Sequence, residues 1–163
     1  MDLLRVPPVE GAEEIFAEYK DMVYRLAFLR TKSGADADDV TMDVFARCLR
    51  AKPAWNDREH QKAWLIRTTI NCTKTLLTSA FRRHTVPERD DLFTEMTDHS
   101  DVYAAVAGLP EKYRTAVHLY YYEGYSVKEI GGFLSANEST VKSWLFRARD
   151  MLREQLKGEY FDV

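Results

Sequence analysis

Apolar positions recur every three to four residues along most of the chain, which is the period of an amphipathic helix. In the first half this period holds from Glu14 to Arg30, from Asp36 (the expected N-cap) to Pro53, and from about Gln61 to Arg82. The expected buried faces of these helices comprise, in order, Ile15, Tyr19, Met22, Val23, Leu26 and Leu29; Val40, Val44, Phe45, Cys48 and Leu49; and Trp64, Leu65, Thr68, Cys72 and Leu76. The pattern therefore predicts a unit of three helices, with Trp55 in the polar loop before the third.

The helical period fails between Thr85 and Ser100. Pro87 and five acidic residues lie there, with few large apolar side chains. Such a composition favours a flexible connector. We therefore expect an all-α protein made of two small helical domains, at residues 1–84 and 101–163, joined by a flexible acidic linker at residues 85–100.

Helical spacing returns after the linker. Asp101 to Ala107 forms a short stretch, and another begins with Pro110 at its first position. Along one side of that second stretch lie Tyr113, Val117 and Tyr120. Gly124 is expected to end it.

The last third of the chain is typical of a helix-turn-helix. Ser126 and Glu129 have the spacing of a capping box, which would start its first helix. Residues 135–138 interrupt the period, and either Asn137 or Ser139 can cap a second helix. The expected apolar faces of the two helices comprise Val127, Ile130 and Leu134, and then Val141, Leu145, Ala148 and Leu152.

The second of these helices also carries cations. Lys142, Arg147, Arg149 and Arg153 lie largely off its apolar stripe. Two short helices at a sharp turn, the second presenting cations, suit the major groove of duplex DNA. A solvated amphipathic helix pair without a ligand is the alternative.

Charge is distributed unevenly, although the net charge of the 163 residues is only -3. Residues 59–83 hold five Lys or Arg against one Glu, and residues 139–157 hold five against two acids. Residues 85–111, between them, hold seven acids and one Arg. Two basic segments separated by an acidic one indicate two contact surfaces.

Several classes of site are not indicated by the sequence. The two cysteines and four histidines have no metal-ligand spacing, so we expect no metal, cofactor or disulfide framework. We also find no nucleophile–base arrangement and no phosphate loop, so we expect no catalytic residues and no enzyme. No apolar run of 18 or more residues and no secretory signal are present, which predicts a cytoplasmic protein without stable membrane insertion.

Two longer segments resemble a known family. The segments VYRLAFLRTKSGADADDVTMDVFARCLR and KAWLIRTTINCTKTLL resemble the second conserved domain of bacterial RNA polymerase sigma factors. The segment LPEKYRTAVHLYYYEGYSVKEIGGFLSANESTVKSWLFRARDML resembles their fourth domain. With only a short linker between them, the chain resembles the extracytoplasmic-function (ECF) group over about Ile15 to Leu156.

The resemblance implies a sigma factor that binds core RNA polymerase, through its clamp and flap, and promoter DNA. An anti-sigma factor is an implied further partner. The implied clamp-binding positions are Asp39, Met42, Asp43 and Arg47, of which Met42 stands where the family often has Gln. Asp39 and Asp43 lie four apart on one helix face, and we expect both to be exposed.

The resemblance also implies two DNA-binding surfaces. Trp64, Arg67, Asn71 and Lys74 match the helix that reads the minus-ten element, and the loop Ala51 to Gln61 matches the segment that accepts an extruded base. Lys142, Ser143, Phe146 and Arg147 match positions that face the minus-thirty-five groove. Trp144 stands where many relatives have Arg.

Physical chemistry agrees with these assignments and leaves alternatives open. A flipped base needs ring surfaces and amide edges, which Trp55, Trp64 and Asn71 offer. Trp64 can equally pack in the core, and Trp55 can make a local contact. Phe146 can touch a thymine methyl or pack against the preceding helix.

An autonomous helix-turn-helix regulator with a helical sensing domain is the alternative function. Such a protein would bind duplex DNA without polymerase. The basic WLIRTTIN helix argues against it, because a sensing domain does not need that charge.

Overall fold

A computed structural model of the chain describes residues 8–83 and 101–157. Every regular element in these two ranges is helical, which confirms the predicted all-α class. The first range contains α1 (Pro8–Thr31), α2 (Gly34–Ala51) and α3 (Arg58–Arg83). The second contains α4 (Asp101–Ala107), α5 (Glu111–Val117), a π-helical turn (His118–Tyr122), α6 (Val127–Leu134) and α7 (Glu138–Leu156).

Contacts divide the chain into two compact units, Met1–Glu88 and Arg89–Val163. The predicted linker, from Thr85 to Ser100, lies outside the described residues. Its flexibility and the limits of the two predicted domains therefore stay predictions.

The start of α2 differs from the sequence prediction. Ser33, and not Asp36, is the N-cap, because the Ser33 hydroxyl accepts a hydrogen bond of 3.1 Å from the Asp36 backbone N–H. Asp36 lies one turn inside the helix, where its charge is favourable near the positive end of the helix dipole. Asp36 therefore stabilises the start of α2 through the helix dipole and not as its N-cap.

The end of α2 sets the course of the following loop. Lys52 adopts a left-handed conformation with φ 44°, and its N–H donates to the Cys48 carbonyl at 3.0 Å. The helix thus ends before Pro53 is reached. α3 begins at Arg58, three residues earlier than predicted, so the loop that holds Trp55 is short.

The buried face of α3 was predicted only in part. Leu65 and Cys72 are buried, whereas Trp64, Thr68 and Leu76 are half-buried. Over residues 58–78 of this helix, the further fully buried positions are Ile66, Thr69, Ile70 and Thr73. The prediction for Leu49 in α2 was wrong, since it is 52% exposed.

Arg30 explains why threonines belong to this core. Its guanidinium is buried, and its Nε donates a hydrogen bond of 2.6 Å to the Thr73 hydroxyl. A buried charge needs such partners. The Thr73 hydroxyl, which interrupts the apolar pattern of α3, therefore accepts a hydrogen bond from Arg30 of α1.

In the second unit, the π-helical turn changes which side chains are buried after α5. Pro110 is the N-cap of α5 and not its first residue. The wider turn then buries His118 and Leu119 and leaves Tyr120 37% exposed. Gly124, with φ 78°, ends the element as predicted.

The helix-turn-helix forms as the sequence indicated. Both hydrogen bonds of the capping box between Ser126 and Glu129 are present. Asn137 caps α7, because its side chain accepts from the Thr140 N–H at 2.9 Å. The turn is tight: a Cβ at Gly131 would lie 2.4 Å from the Ala136 carbonyl oxygen.

Candidate nucleic-acid and polymerase interfaces

α7 presents the predicted duplex-reading side chains to solvent. Val141, Leu145 and Ala148 are buried on its inner side. The side chains on its outer side, all exposed, are Lys142, Ser143, Phe146 and Arg147. Phe146 is 66% exposed, so the alternative that it packs against the preceding helix is wrong.

The cations of α7 differ in their partners. Arg153 forms an ion pair of 2.9 Å with Asp150, and Arg149 donates a hydrogen bond of 2.8 Å to the Tyr121 hydroxyl. Among the described residues no ion pair engages Lys142 or Arg147. These two charges are therefore available for a ligand.

Lys142 and Arg147 face different directions. Five residues correspond to one turn plus about 140° of rotation around an α-helix. The two cations thus flank the exposed outer side that carries Phe146 and Ser143. The arrangement suits a groove, in which one cation reaches each wall or edge.

The exposed face of α3 carries the second predicted surface. Arg67, Asn71 and Lys74 are exposed at spacings of four and three, which places them on one side of the helix. Trp64, one turn earlier, is half-buried and therefore neither a core residue nor an open one. Core packing of Trp64 is therefore only partial, and its role in DNA binding stays a prediction.

Trp55 and Trp64 pack against one another at the start of this surface. Their ring centroids are 6.0 Å apart and the rings make an angle of 69°, an edge-to-face contact. The Trp55 Nε1 is buried and has no hydrogen-bond partner among the described residues. Buried N–H groups are normally paired, so this donor would gain a hydrogen bond from an acceptor brought close to the loop.

A cavity of about 590 Å³ lies next to the loop that holds Trp55. Ile15, Leu49 and Pro53 give it an apolar wall, and Arg58 and Gln61 give it polar groups. Its volume is in the range of small-molecule sites.

The exposed side of α2 carries the predicted polymerase-binding residues. Asp39 is exposed, as predicted, and Met42 is 66% exposed. Leu49 follows two turns after Met42 and is also exposed, so α2 shows an apolar strip beside its acids. The sequence pattern had assigned Leu49 to the core and so missed half of this strip.

Asp43 is less available than predicted. Its carboxylate is bonded to the Arg47 guanidinium, with Oδ1–Nε and Oδ2–Nη2 distances of 3.3 Å each. The Cys72 thiol, from α3, donates to the same carboxylate at 3.4 Å. Asp43 therefore also joins α2 to α3 and is half-exposed, where the sequence predicted an exposed residue.

The Cys72 thiol itself is a weak nucleophile. The pKa of the Cys72 thiol is raised to about 11, mainly by burial; Arg47 lowers this pKa and the Asp43 carboxylate raises it. The hydrogen bond between Arg47 and Asp43 is the main reason that the pKa of Arg47 is raised. Cys72 therefore remains a thiol near neutral pH and acts in packing.

Neither a metal site nor a membrane-spanning helix is found in the described ranges. Over residues 8–83 and 101–157, no three His, Cys, Asp or Glu side chains come together as a metal site. No helix in the part of the chain that the structure describes has the length and apolarity to cross a membrane.

Two family models match the chain. Sigma-70 region 2 matches residues 15–83, and Sigma-70 region 4 matches residues 99–152. Region 2 thus covers the three-helix unit that carries the α2 and α3 surfaces, and region 4 covers the helix-turn-helix.

Curated relatives and a solved structure are similar over nearly the whole chain. The ECF RNA polymerase sigma factor SigE of Mycolicibacterium smegmatis is 31% identical over 88% of this chain, which spans 61% of that relative's length. The RNA polymerase sigma factor SigV of Bacillus subtilis is 29% identical over 87% of this chain and 89% of its own length. In fold, the chain matches the sigma factor RpoE of Bartonella quintana, solved with the anti-sigma factor NepR, with a TM-score of 0.71 at 19% identity, over 89% of this chain and 96% of that one.

Proposed function

This chain belongs to the ECF group of the sigma-70 family, and on that premise we propose that it binds core RNA polymerase, recognises promoter DNA and directs transcription initiation. One observation carries the proposal beyond the family assignment. The chain presents two different surfaces that suit nucleic acid, an open cationic helix in one unit and a recessed aromatic pair beside cations in the other.

The minus-thirty-five element is the proposed ligand of α7. Arg147 and Lys142 would contact base edges or phosphates from the two sides of the helix, and Phe146 would contact a thymine methyl. Ser143 is small enough to let the backbone approach the groove. The exposure of all four side chains supports this assignment.

The minus-ten element is the proposed ligand of α3 and of the preceding loop. Arg67 and Lys74 would neutralise phosphates of the melted strand, and the Asn71 amide would bond a base edge. Trp55 and Trp64 would supply ring surface to an unstacked base. The unpaired Trp55 N–H supports this role, because it can donate to a base.

Polymerase is the proposed partner of α2. Asp39 would meet a cationic clamp surface, with Met42 and Leu49 adding apolar contact, while Asp43 and Arg47 contribute as a pair. An anti-sigma factor, of the kind that accompanies RpoE in the related structure, is the proposed inhibitor. The proposed role is binding without catalysis, and the proposed location is the cytoplasm, where core polymerase transcribes.

A run-off transcription assay tests the proposal. Core polymerase with the chain should transcribe from a promoter selected by that complex, whereas core polymerase alone should not. Equal transcription with and without the chain would refute it. A gel shift on the same duplex without polymerase distinguishes the alternative function, since an autonomous regulator would bind the duplex specifically by itself.

A further inference from the structure

A polar pocket lies beside α7, and of its lining only Ser143 and Arg147 have a role in the assignments above. It has a volume of about 410 Å³ and is bordered by Lys112 and Tyr113, at the start of α5, and by the first half of α7. The lining side chains of α7 are Ser139, Thr140, Ser143, Trp144 and Arg147. Two lining residues are cations and none is acidic, so the pocket favours an anion.

Aromatic rings hold the Lys112 side chain at this pocket. Its Nζ lies 5.8 Å from the centroid of the Trp144 ring and 5.9 Å from that of the Tyr113 ring. Both distances are within the range of a cation–π contact. The ammonium of an exposed lysine on α5 is thereby directed toward α7, and less side-chain entropy remains to be lost when it binds.

Neither cation of the pocket is neutralised by a described carboxylate. The ion pairs found over residues 101–157 involve His118 and Arg153, and not Lys112 or Arg147. The first turn of α7 adds the partial positive charge of a helix N-terminus. Ser143 adds a hydroxyl that can donate to an oxyanion.

We propose that this pocket binds a backbone phosphate of the duplex that α7 reads, with Lys112 as its principal cation and Trp144 as the residue that positions Lys112. The proposal rests on the proposed function, since it needs α7 in a groove. A lysine binds phosphate as a point charge, so this contact strengthens binding without reading sequence. It would fix the rotation of α7 in the groove.

Salt dependence of duplex binding tests the proposal. The probe is a fluorescein-labelled duplex carrying the upstream half of a promoter selected with core polymerase, and the full chain is added with core polymerase. For Lys112→Ala, the slope of log affinity against log salt should be shallower by about 0.9 unit. The loss of duplex affinity relative to wild type should therefore be about 3.5-fold smaller at 200 mM salt than at 50 mM salt. Lys112→Arg should keep the wild-type slope, and the order of preference among base variants should not change.

Lys157→Ala is the matched control. It removes the same charge from the same unit, but at the far end of α7, and should leave the slope unchanged. For the positioning role, Trp144→Phe should keep the wild-type slope and Trp144→Leu should lower it, because only the former retains an aromatic ring on both sides of the ammonium, beside the ring of Tyr113. Equal slopes for the Phe and Leu variants would overturn that role.

Neutral phosphates identify the contact itself. Replacing single phosphates of the probe by methylphosphonates should reveal one position at which Lys112→Ala causes no further loss. If Lys112→Ala adds the same loss at every position, or none at all, the phosphate assignment is overturned. If inorganic phosphate at matched ionic strength displaces the duplex from wild type but not from Lys112→Ala, the pocket is a free-phosphate site instead.

The proposed function fails by a different result. If wild type with core polymerase does not bind the probe above the level of core polymerase alone, the sigma-factor assignment fails and this inference fails with it. If wild type binds and Lys112→Ala is unchanged in slope, only the inference is overturned.

Discussion

The α3 and α7 surfaces differ in how they hold their aromatic side chains. Phe146 stands open on α7, whereas Trp55 and Trp64 lie edge to face and half-buried at the start of α3. A groove is read by side chains that protrude into it. An unstacked base, in contrast, needs a recess with ring surface. On the proposed function, the two surfaces therefore suit two states of the same DNA, duplex and melted.

Gly131→Ala should have the largest effect, because it should destabilise the unit that carries the α7 surface. The added Cβ would clash with the Ala136 carbonyl oxygen, a backbone atom that cannot move without opening the turn. We expect the second unit to lose about 3 kcal/mol of unfolding free energy. Hydrogen exchange, followed by mass spectrometry, should show lost protection in α6 and α7 and an unchanged first unit.

Gly11→Ala is the control for that variant. Nothing lies within 4 Å of a Cβ built at Gly11, in α1, and Ala is the better helix former. We expect a stability gain of about 0.5–1 kcal/mol. Protection that falls equally in both units for Gly131→Ala would mean that the units do not unfold separately.

Arg147→Ala should weaken the duplex-reading surface alone. If Arg147 contacts a base edge, binding to the upstream element should fall by about 1–3 kcal/mol and preference at one base pair should relax. If it contacts only phosphate, the loss should be uniform across sequences. Fluorescence anisotropy with a set of base-substituted duplexes measures both. Arg153→Ala, which removes a cation already paired with Asp150, should change little.

Asn71→Ala should affect the other surface and leave duplex binding intact. The loss of one hydrogen bond to an extruded base corresponds to about 1 kcal/mol, or about five-fold in open-complex formation. Permanganate footprinting of the melted region measures it, and Thr75→Ala, one turn along α3, is the control. Normal opening by Asn71→Ala, together with blocked melting and normal upstream binding by Arg147→Ala, would reverse the two assignments.

Asp39→Asn and Asp43→Asn should have the smallest effects on stability, and they compare the contributions of these two acids of α2 to polymerase binding. Asp43 is bonded to Arg47 and Cys72, but its side chain is 43% exposed, so solvent screening limits its contribution to about 0.5 kcal/mol. Asp39→Asn should leave unfolding unchanged. Both should weaken binding to core polymerase in a pull-down titration. If only Asp43→Asn weakens it, the contact is made by the Asp43–Arg47 pair alone.

Local signals in the sequence predicted much of the second unit. The capping box at Ser126, the stop at Gly124 and the buried stripe Val141–Leu145–Ala148 depend on neighbours in the chain, and all three are present. The exposed cations followed from the same stripe, whereas the exposure of Phe146 was implied by the family resemblance. Helix-local rules are sufficient where a helix packs through one face.

Features that depend on tertiary contact were not predictable in this way. Thr73 is buried because Arg30 needs its hydroxyl, and Leu49 is exposed although it follows the apolar period of α2. Lys112 also gave no signal, because only the folded unit places its ammonium over Trp144. The sequence showed that α7 lacks a cation at Trp144. The structure shows a cation from α5 beside that ring.

The spacing between α5 and α6 depends on the number of residues in the π-helical turn His118–Tyr122 as well as on their identity. Such a turn holds one residue more than an α-helical turn needs, as a single-residue insertion into a helix would produce. A one-residue deletion there would restore a regular helix and rotate the residues after the deletion by about 100°. The Tyr121 hydroxyl would then leave Arg149, although both residues remained. Relatives that differ in length at this turn should therefore differ in what supports the C-terminal half of α7, even where every aligned side chain is the same.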